Sequence, residues 1–134
     1  MGYTSHSMKK ESQLWFDLAE EDFEDMRIMA ESKRLRGAVV FAQQAVEKIL
    51  KAYIAEFTEN TPPKTHFIEK LIKIANLDLD EVNNPSVENL STAYSWARYP
   101  DIAHVHFNKF DDVKPLLTMA EIVYLWVKQK LIKQ

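Results

Sequence analysis

The 134-residue chain has no cysteine, only two glycines and no long apolar run. Without cysteine there is no disulfide, no thiolate nucleophile and no cysteine-bound zinc or iron–sulfur site, and the chain suits a reducing compartment. Two glycines exclude the glycine-rich phosphate loop of P-loop and Rossmann folds and the many glycine-bearing turns of a β-sandwich or barrel. Any phosphate held by this chain is therefore held by side chains. No apolar stretch approaches the ~20 residues of a membrane span, and Met1-Gly2-Tyr3-Thr4-Ser5-His6-Ser7 lacks the basic start and apolar stretch of a signal peptide. A soluble, cytoplasmic protein without membrane contact is expected. The net charge of −3, from 17 basic and 20 acidic residues, argues against coating nucleic acid by bulk electrostatics and leaves room for local patches.

What the sequence does have is helical period. With 46% apolar and 28% charged residues it is a globular chain of one domain. Residues 1–7 read as a disordered leader or appended remnant, and residues 8–134 as a single helical domain. Apolar residues at Leu14, Trp15, Leu18, Ala19, Phe23, Met26, Met29 and Ala30 predict an amphipathic helix over Ser12–Ser32. The acids from Asp17 to Asp25 read as its solvated face. Gly37 offers a break, and Ala38–Phe57 reads as a central helix so apolar that it needs cover on more than one side, with Gln43, Gln44, Glu47, Lys48 and Lys51 as its polar side. Thr65 can cap a short third helix, Asn84 and Pro85 can start a fourth, and Asp111 or Asp112 can cap a last one. Pro100 stops the fourth helix near Arg98, and Pro100–Phe110 shows no helical period. The expected fold is all-α, an up-and-down bundle of about five helices. Three tryptophans and seven phenylalanines exceed what so small a bundle readily hides, which points to a partner surface, most simply a homodimer.

The stretch Arg98-Tyr99-Pro100-Asp101-Ile102-Ala103-His104-Val105-His106 carries the chemistry. Arginine grips a phosphate bidentately and keeps its charge, and histidine moves protons near neutrality. Together they are the minimum for metal-independent RNA cleavage: a base takes the 2′-hydroxyl proton, the oxygen attacks phosphorus, and a fixed cation stabilises the growing charge. On one uninterrupted helix Arg98 and His104 would lie roughly 120° apart, so the break at Pro100 is needed to bring them together. The bland alternative pairs Arg98 with Asp101 and leaves His104 and His106 in a loop. A zinc site from His66, His104, His106 and Asp101 has only the alternating histidines in its favour, and neither metal nor cofactor is expected. Glu47 and Lys51 form an i,i+4 pair worth about 0.3 kcal/mol on the polar side of the second helix, which reads as a structural contact that helps hold the motif segment.

Two segments together carry a resemblance. Gln43-Gln44-Ala45-Val46-Glu47-Lys48-Ile49-Leu50-Lys51-Ala52, with Thr65-His66 opening a helix and Arg98-Tyr99-Pro100-Asp101 about fifty residues further on, resembles the signature of HEPN domains (higher eukaryotes and prokaryotes nucleotide-binding). The resemblance implies a helical bundle that dimerises along the motif-bearing helices and, in many members, a ribonuclease toxin paired with a nucleotidyltransferase antitoxin of the MNT type. The family's pattern is an arginine, four to six residues, then a histidine. By the resemblance Arg98 binds the scissile phosphate of RNA or a nucleotide, His104 transfers protons, and Tyr99, Asp101, His106, Glu47 and Lys48 bind or support. Tyr99-Pro100 marks the minimal Arg-Tyr-Pro-Asp branch, and His106 stands where some members carry a nucleotide-accepting tyrosine. The other implied role is a non-catalytic module that binds a nucleotide or the nucleotidyltransferase.

Overall fold

The computed structural model describes residues 7–133, so the reading of residues 1–7 as a leader lies, Ser7 apart, outside the described residues. Six helices follow in order: α1 (Lys10–Glu31), α2 (Leu35–Phe57), α3 (Ile68–Ala75), α4 (Glu88–Trp96), α5 (Pro100–His106) and α6 (Phe110–Ile132), with one 3₁₀ turn at Leu79–Val82. No strand occurs among the described residues, and the all-α expectation holds.

The bundle is organised around α2. Val39, Ala42, Ala45, Val46, Ile49, Leu50 and Ile54 are wholly buried, and α1, α3, α4 and α6 all pack on this helix. An apolar surface that wraps most of a helix can be removed from water only by neighbours on several sides. From α1 come Phe16, Ala19, Phe23 and Met26, and from α6 come Val123, Tyr124, Val127 and Leu131. The Phe23 and Tyr124 rings stack at 4.2 Å, joining the two outer helices over the central one.

The turn between α1 and α2 departs from the sequence expectation. Gly37 is not the break; it lies inside α2, and the chain reverses at Ser32-Lys33-Arg34. Lys33 takes the left-handed conformation (φ 61°), with the Lys33 amide donating to the Ala30 carbonyl and the Arg34 amide to the Met29 carbonyl. That is a Schellman closure made without glycine. Gly37 instead faces α1 closely: a Cβ there would meet Met29 Sδ at 2.9 Å, so a small side chain would only have to displace that thioether and a large one would force the helices apart.

Other boundaries also move. The fourth helix begins at Glu88, because Asn83 (φ 66°) and Asn84 (φ 50°) occupy left-handed turn positions and Asn84 caps nothing. The last helix is capped by Lys109, whose amide donates to Asp112 Oδ2 at 3.1 Å, so Asp112 lies inside the helix and reaches back. The segment after Pro100 is α5 and neither a loop nor a strand: proline at the first helical position has no amide to satisfy and a backbone angle suited to starting a helix. Among the described residues the helices therefore number six and not five. Among the described residues no helix is long and apolar enough to cross a membrane.

Two measurements test these features. Gly37→Ala leaves stability within about 1 kcal/mol, since the half-buried Met29 thioether can swing aside, while Gly37→Leu lowers it by about 1–3 kcal/mol in chemical denaturation. Glu81 accepts from Lys130 Nζ (2.8 Å) and Trp126 Nε1 (3.0 Å), and these two hydrogen bonds, that of Lys130 first, hold its pKa below the ordinary carboxylate value. A carboxylate depressed in the folded state adds stability above its unfolded pKa and loses it as pH falls through the folded one. The Trp126 indole proton resonance should accordingly shift only below the usual glutamate range, and Glu81→Gln should abolish that shift.

Candidate functional site

Two polar regions stand out, one inside the bundle and one at a corner of its surface. The inner one is built on α2. Gln43, Glu47 and Lys51 recur every fourth residue, share one face, and are all buried. Lys51 Nζ donates to Glu47 Oε2 at 2.8 Å, and Gln43 Nε2 donates to Glu47 Oε1 (3.1 Å) and to the His66 carbonyl (2.8 Å). His66 Nδ1 lies 3.3 Å from Glu47 Oε1, and its ring tilts against Tyr94. The carboxylate thus gathers donors from its own helix and from the segment that leads into α3. Gln43 Oε1 is left with no partner among the described residues.

The polar side of α2 is thus interior at Gln43, Glu47 and Lys51. The pair Glu47–Lys51 is a buried ion pair with a role in closing the fold, well beyond a surface i,i+4 contact. Lys48 reaches the other way, to Asp22 of α1 at 2.6 Å. Asp22 is itself buried, so the acidic run on α1 is not all solvated face. Asp22, Gln43 and Ser91 were not legible as interior residues, because nothing in a polar residue's type says that a partner awaits it. Ser91 of α4 shows the same logic: its hydroxyl accepts from the Ile68 amide at the start of α3 and donates to Glu69.

The outer region is the corner between α4 and α5. Arg98 and Tyr99 form the turn after the α4 cap at Ala97, and Pro100 starts α5. Arg98, Tyr99, Asp101, His104 and His106 are all exposed. The His106 ring stacks on Trp96, the last residue of α4, with centroids 3.9 Å apart and planes 16° apart, which folds α5 back on α4. Asp101 stands in the first turn of α5, and no ion pair joins it to Arg98 among the described residues. His104 opens onto a cavity of about 280 Å³ lined also by Arg36, Pro100, Ala103, Phe107 and Asn108. Arg98 does not line it. Arg36, from the first turn of α2, arrives there through a hydrogen bond from Nη1 to the Ala97 carbonyl at 3.2 Å. Sequence reasoning passed over Arg36, which is 68 positions before His104 and sits in an ordinary basic turn.

His66, His104, His106 and Asp101 do not assemble as metal ligands. Among the described residues the one set of carboxylate or imidazole groups at ligand spacing is Glu21, Asp22 and Asp25 of α1, and Asp22 there is already paired with Lys48.

The class is thus a small all-α domain that carries a charged signature on a buried central helix and an arginine and a histidine on an exposed corner. The family model for the HEPN domain matches residues 12–130, and the chain belongs to that family. No curated protein and no solved structure matches the chain with significance.

The buried pair has a measurable consequence. Glu47→Ala leaves the Lys51 ammonium buried without its counter-charge and should cost about 3–5 kcal/mol in chemical denaturation. The double replacement Glu47→Leu with Lys51→Met should recover most of that loss, because it removes both charges together.

Proposed function

We propose that the protein is a toxin-like, metal-independent endoribonuclease of the HEPN family, acting through Arg98 and His104 across a homodimer cleft and held in check by an MNT nucleotidyltransferase partner in the cytoplasm. One observation carries the reading. At the α4–α5 corner Arg98 and His104 are exposed, neither side chain is engaged by a hydrogen bond or ion pair among the described residues, and the cavity at His104 has no carboxylate in its lining. In this mechanism His104 takes the proton of a ribose 2′-hydroxyl, and the freed oxygen attacks the adjacent phosphorus. Arg98 stabilises the charge on the phosphoryl oxygens, and the bond to the 5′-oxygen breaks. The products are a cyclic phosphate and a 5′-hydroxyl end. A dimer that brings two such pairs together supplies both the base and the acid that returns a proton to the leaving oxygen. Exposed Leu14, Leu18 and Ile28 on α1, with Val105 on α5, are apolar surface in keeping with association.

A second reading, a non-catalytic module that binds a nucleotide or the nucleotidyltransferase, is favoured by a different observation. No group among the described residues orients the His104 ring, whereas a general base ordinarily has a partner fixing its tautomer. Cleavage assays separate the two. Protein freed of any partner should cut single-stranded RNA in the presence of chelator and leave cyclic-phosphate and 5′-hydroxyl ends. Arg98→Ala and His104→Ala should each lower that rate by at least about 100-fold. No cleavage at any pH, with both variants identical to the parent in inhibiting growth, moves the protein to the binding class.

A further inference from the structure

We propose that Arg36 is a second phosphate-binding cation, which holds the backbone of a single-stranded RNA in the His104 cavity, while Arg98 stands on the turn outside that cavity. This deepens the endoribonuclease reading and rests on it for the identity of the ligand. The family signature does not include Arg36; the fold brings it in.

Arg36 stands in the first turn of α2, a turn that contains no acidic residue. A cation near a helix N-terminus faces the positive end of the helix dipole and is locally disfavoured, so it needs compensation from elsewhere. Part of that comes from the Ala97 carbonyl at the end of α4, to which Nη1 donates at 3.2 Å. This bond uses one of the five N–H groups of a planar guanidinium and fixes the fork beside the residue that precedes Arg98. The remaining donors stay available on a side chain already positioned, which lowers the entropic cost of gripping a ligand.

The cavity's chemistry agrees. Its polar residues are Arg36, His104 and Asn108, and its apolar ones are Pro100, Ala103 and Phe107. No carboxylate lines it. In a chain of net charge −3, a cavity whose lining includes the fixed cation Arg36 and no acid favours an anion. An anion carrying an apolar or sugar portion fits the mixed lining. At about 280 Å³ the space lies just under the range of ordinary ligand pockets, about 300–1,000 Å³, and suits a phosphate with its ribose more than a whole drug-sized ligand. His104, the group proposed to take the 2′-hydroxyl proton, would then face the sugar of the phosphate that Arg36 holds.

The experiment uses two probes: cleavable RNA, and a 2′-O-methyl oligoribonucleotide of the same sequence that has no 2′-hydroxyl to react. Arg36→Gln, with melting temperature measured in parallel, should weaken binding of the 2′-O-methyl strand by at least about fivefold. It should also reduce the slope of log affinity against log salt by about 0.7, the loss of one phosphate contact on a single strand. In cleavage it should lower kcat/KM by about tenfold or more. Arg36→Lys, which keeps the charge and a donor for the Ala97 carbonyl, should restore most of the salt slope. If the parent protein cuts RNA and Arg36→Gln changes neither affinity nor kcat/KM, the assignment of Arg36 is overturned and the endoribonuclease reading stands. If the parent cuts nothing yet binds the 2′-O-methyl strand in an Arg36-dependent way, the phosphate site stands and cleavage falls. Failure of the parent to bind that strand, or losses in Arg36→Gln and Arg36→Lys that equal each other and follow the melting temperature, overturns the proposal.

Discussion

A helix that is apolar around most of its circumference cannot rest at a surface, and in this protein α1, α3, α4 and α6 are placed by the need to cover α2. The cost of leaving Val39, Val46, Ile49, Leu50 and Ile54 in water, at about 1.5–3 kcal/mol for each large side chain, exceeds any local preference of the flanking segments. The tight α1–α2 turn at Lys33, the close approach of α1 at Gly37, and the return of α6 across the far side are ways of meeting that one demand. The short helices α3 and α4 close what remains.

Complete burial has a consequence for the polar residues on the same helix. Gln43, Glu47 and Lys51 go inside with their apolar neighbours, and a buried charge or amide is tolerated only with partners. Glu47 finds them in Lys51 and Gln43, and Gln43 also ties down the backbone of His66. The charged signature of α2 therefore acts as a clasp that holds the Thr58–Phe67 segment to the core. Lys48 does the equivalent for α1 through Asp22. The segment of sequence that carries the family resemblance is in this way a structural device, and the residues proposed for chemistry lie elsewhere.

Those residues gather where the bundle is least regular. Between Ala97 and Phe110 the chain makes two turns around a helix of only seven residues, and the stack of His106 on Trp96 presses that helix back against the end of α4. The geometry leaves Arg98 on the turn and His104 on the helix beyond it, facing a cavity whose cation comes from the start of α2. The same central helix thus contributes at both ends of its length, with its interior face closing the core and its first turn reaching the corner.

Much of this was legible in the residues alone. Helical period, the scarcity of glycine and the two-part signature were enough for the all-α class, the central place of α2 and the family, because each depends on spacing along one segment. The helix start at Pro100 is not legible in the sequence: an element of seven residues carries too few apolar positions to show a period, and a proline that can end one helix here begins the next. The burial of Glu47 and Lys51 was missed because side-chain charge predicts exposure unless the partner is known, and the partners include a backbone carbonyl that no sequence pattern marks. What the sequence by itself determined is that the longer stretches are helical and which of their positions are apolar. What only the tertiary structure decided is which polar groups meet, Glu47 with the His66 segment and Arg36 with the His104 cavity, since those meetings depend on distances between residues far apart along the chain.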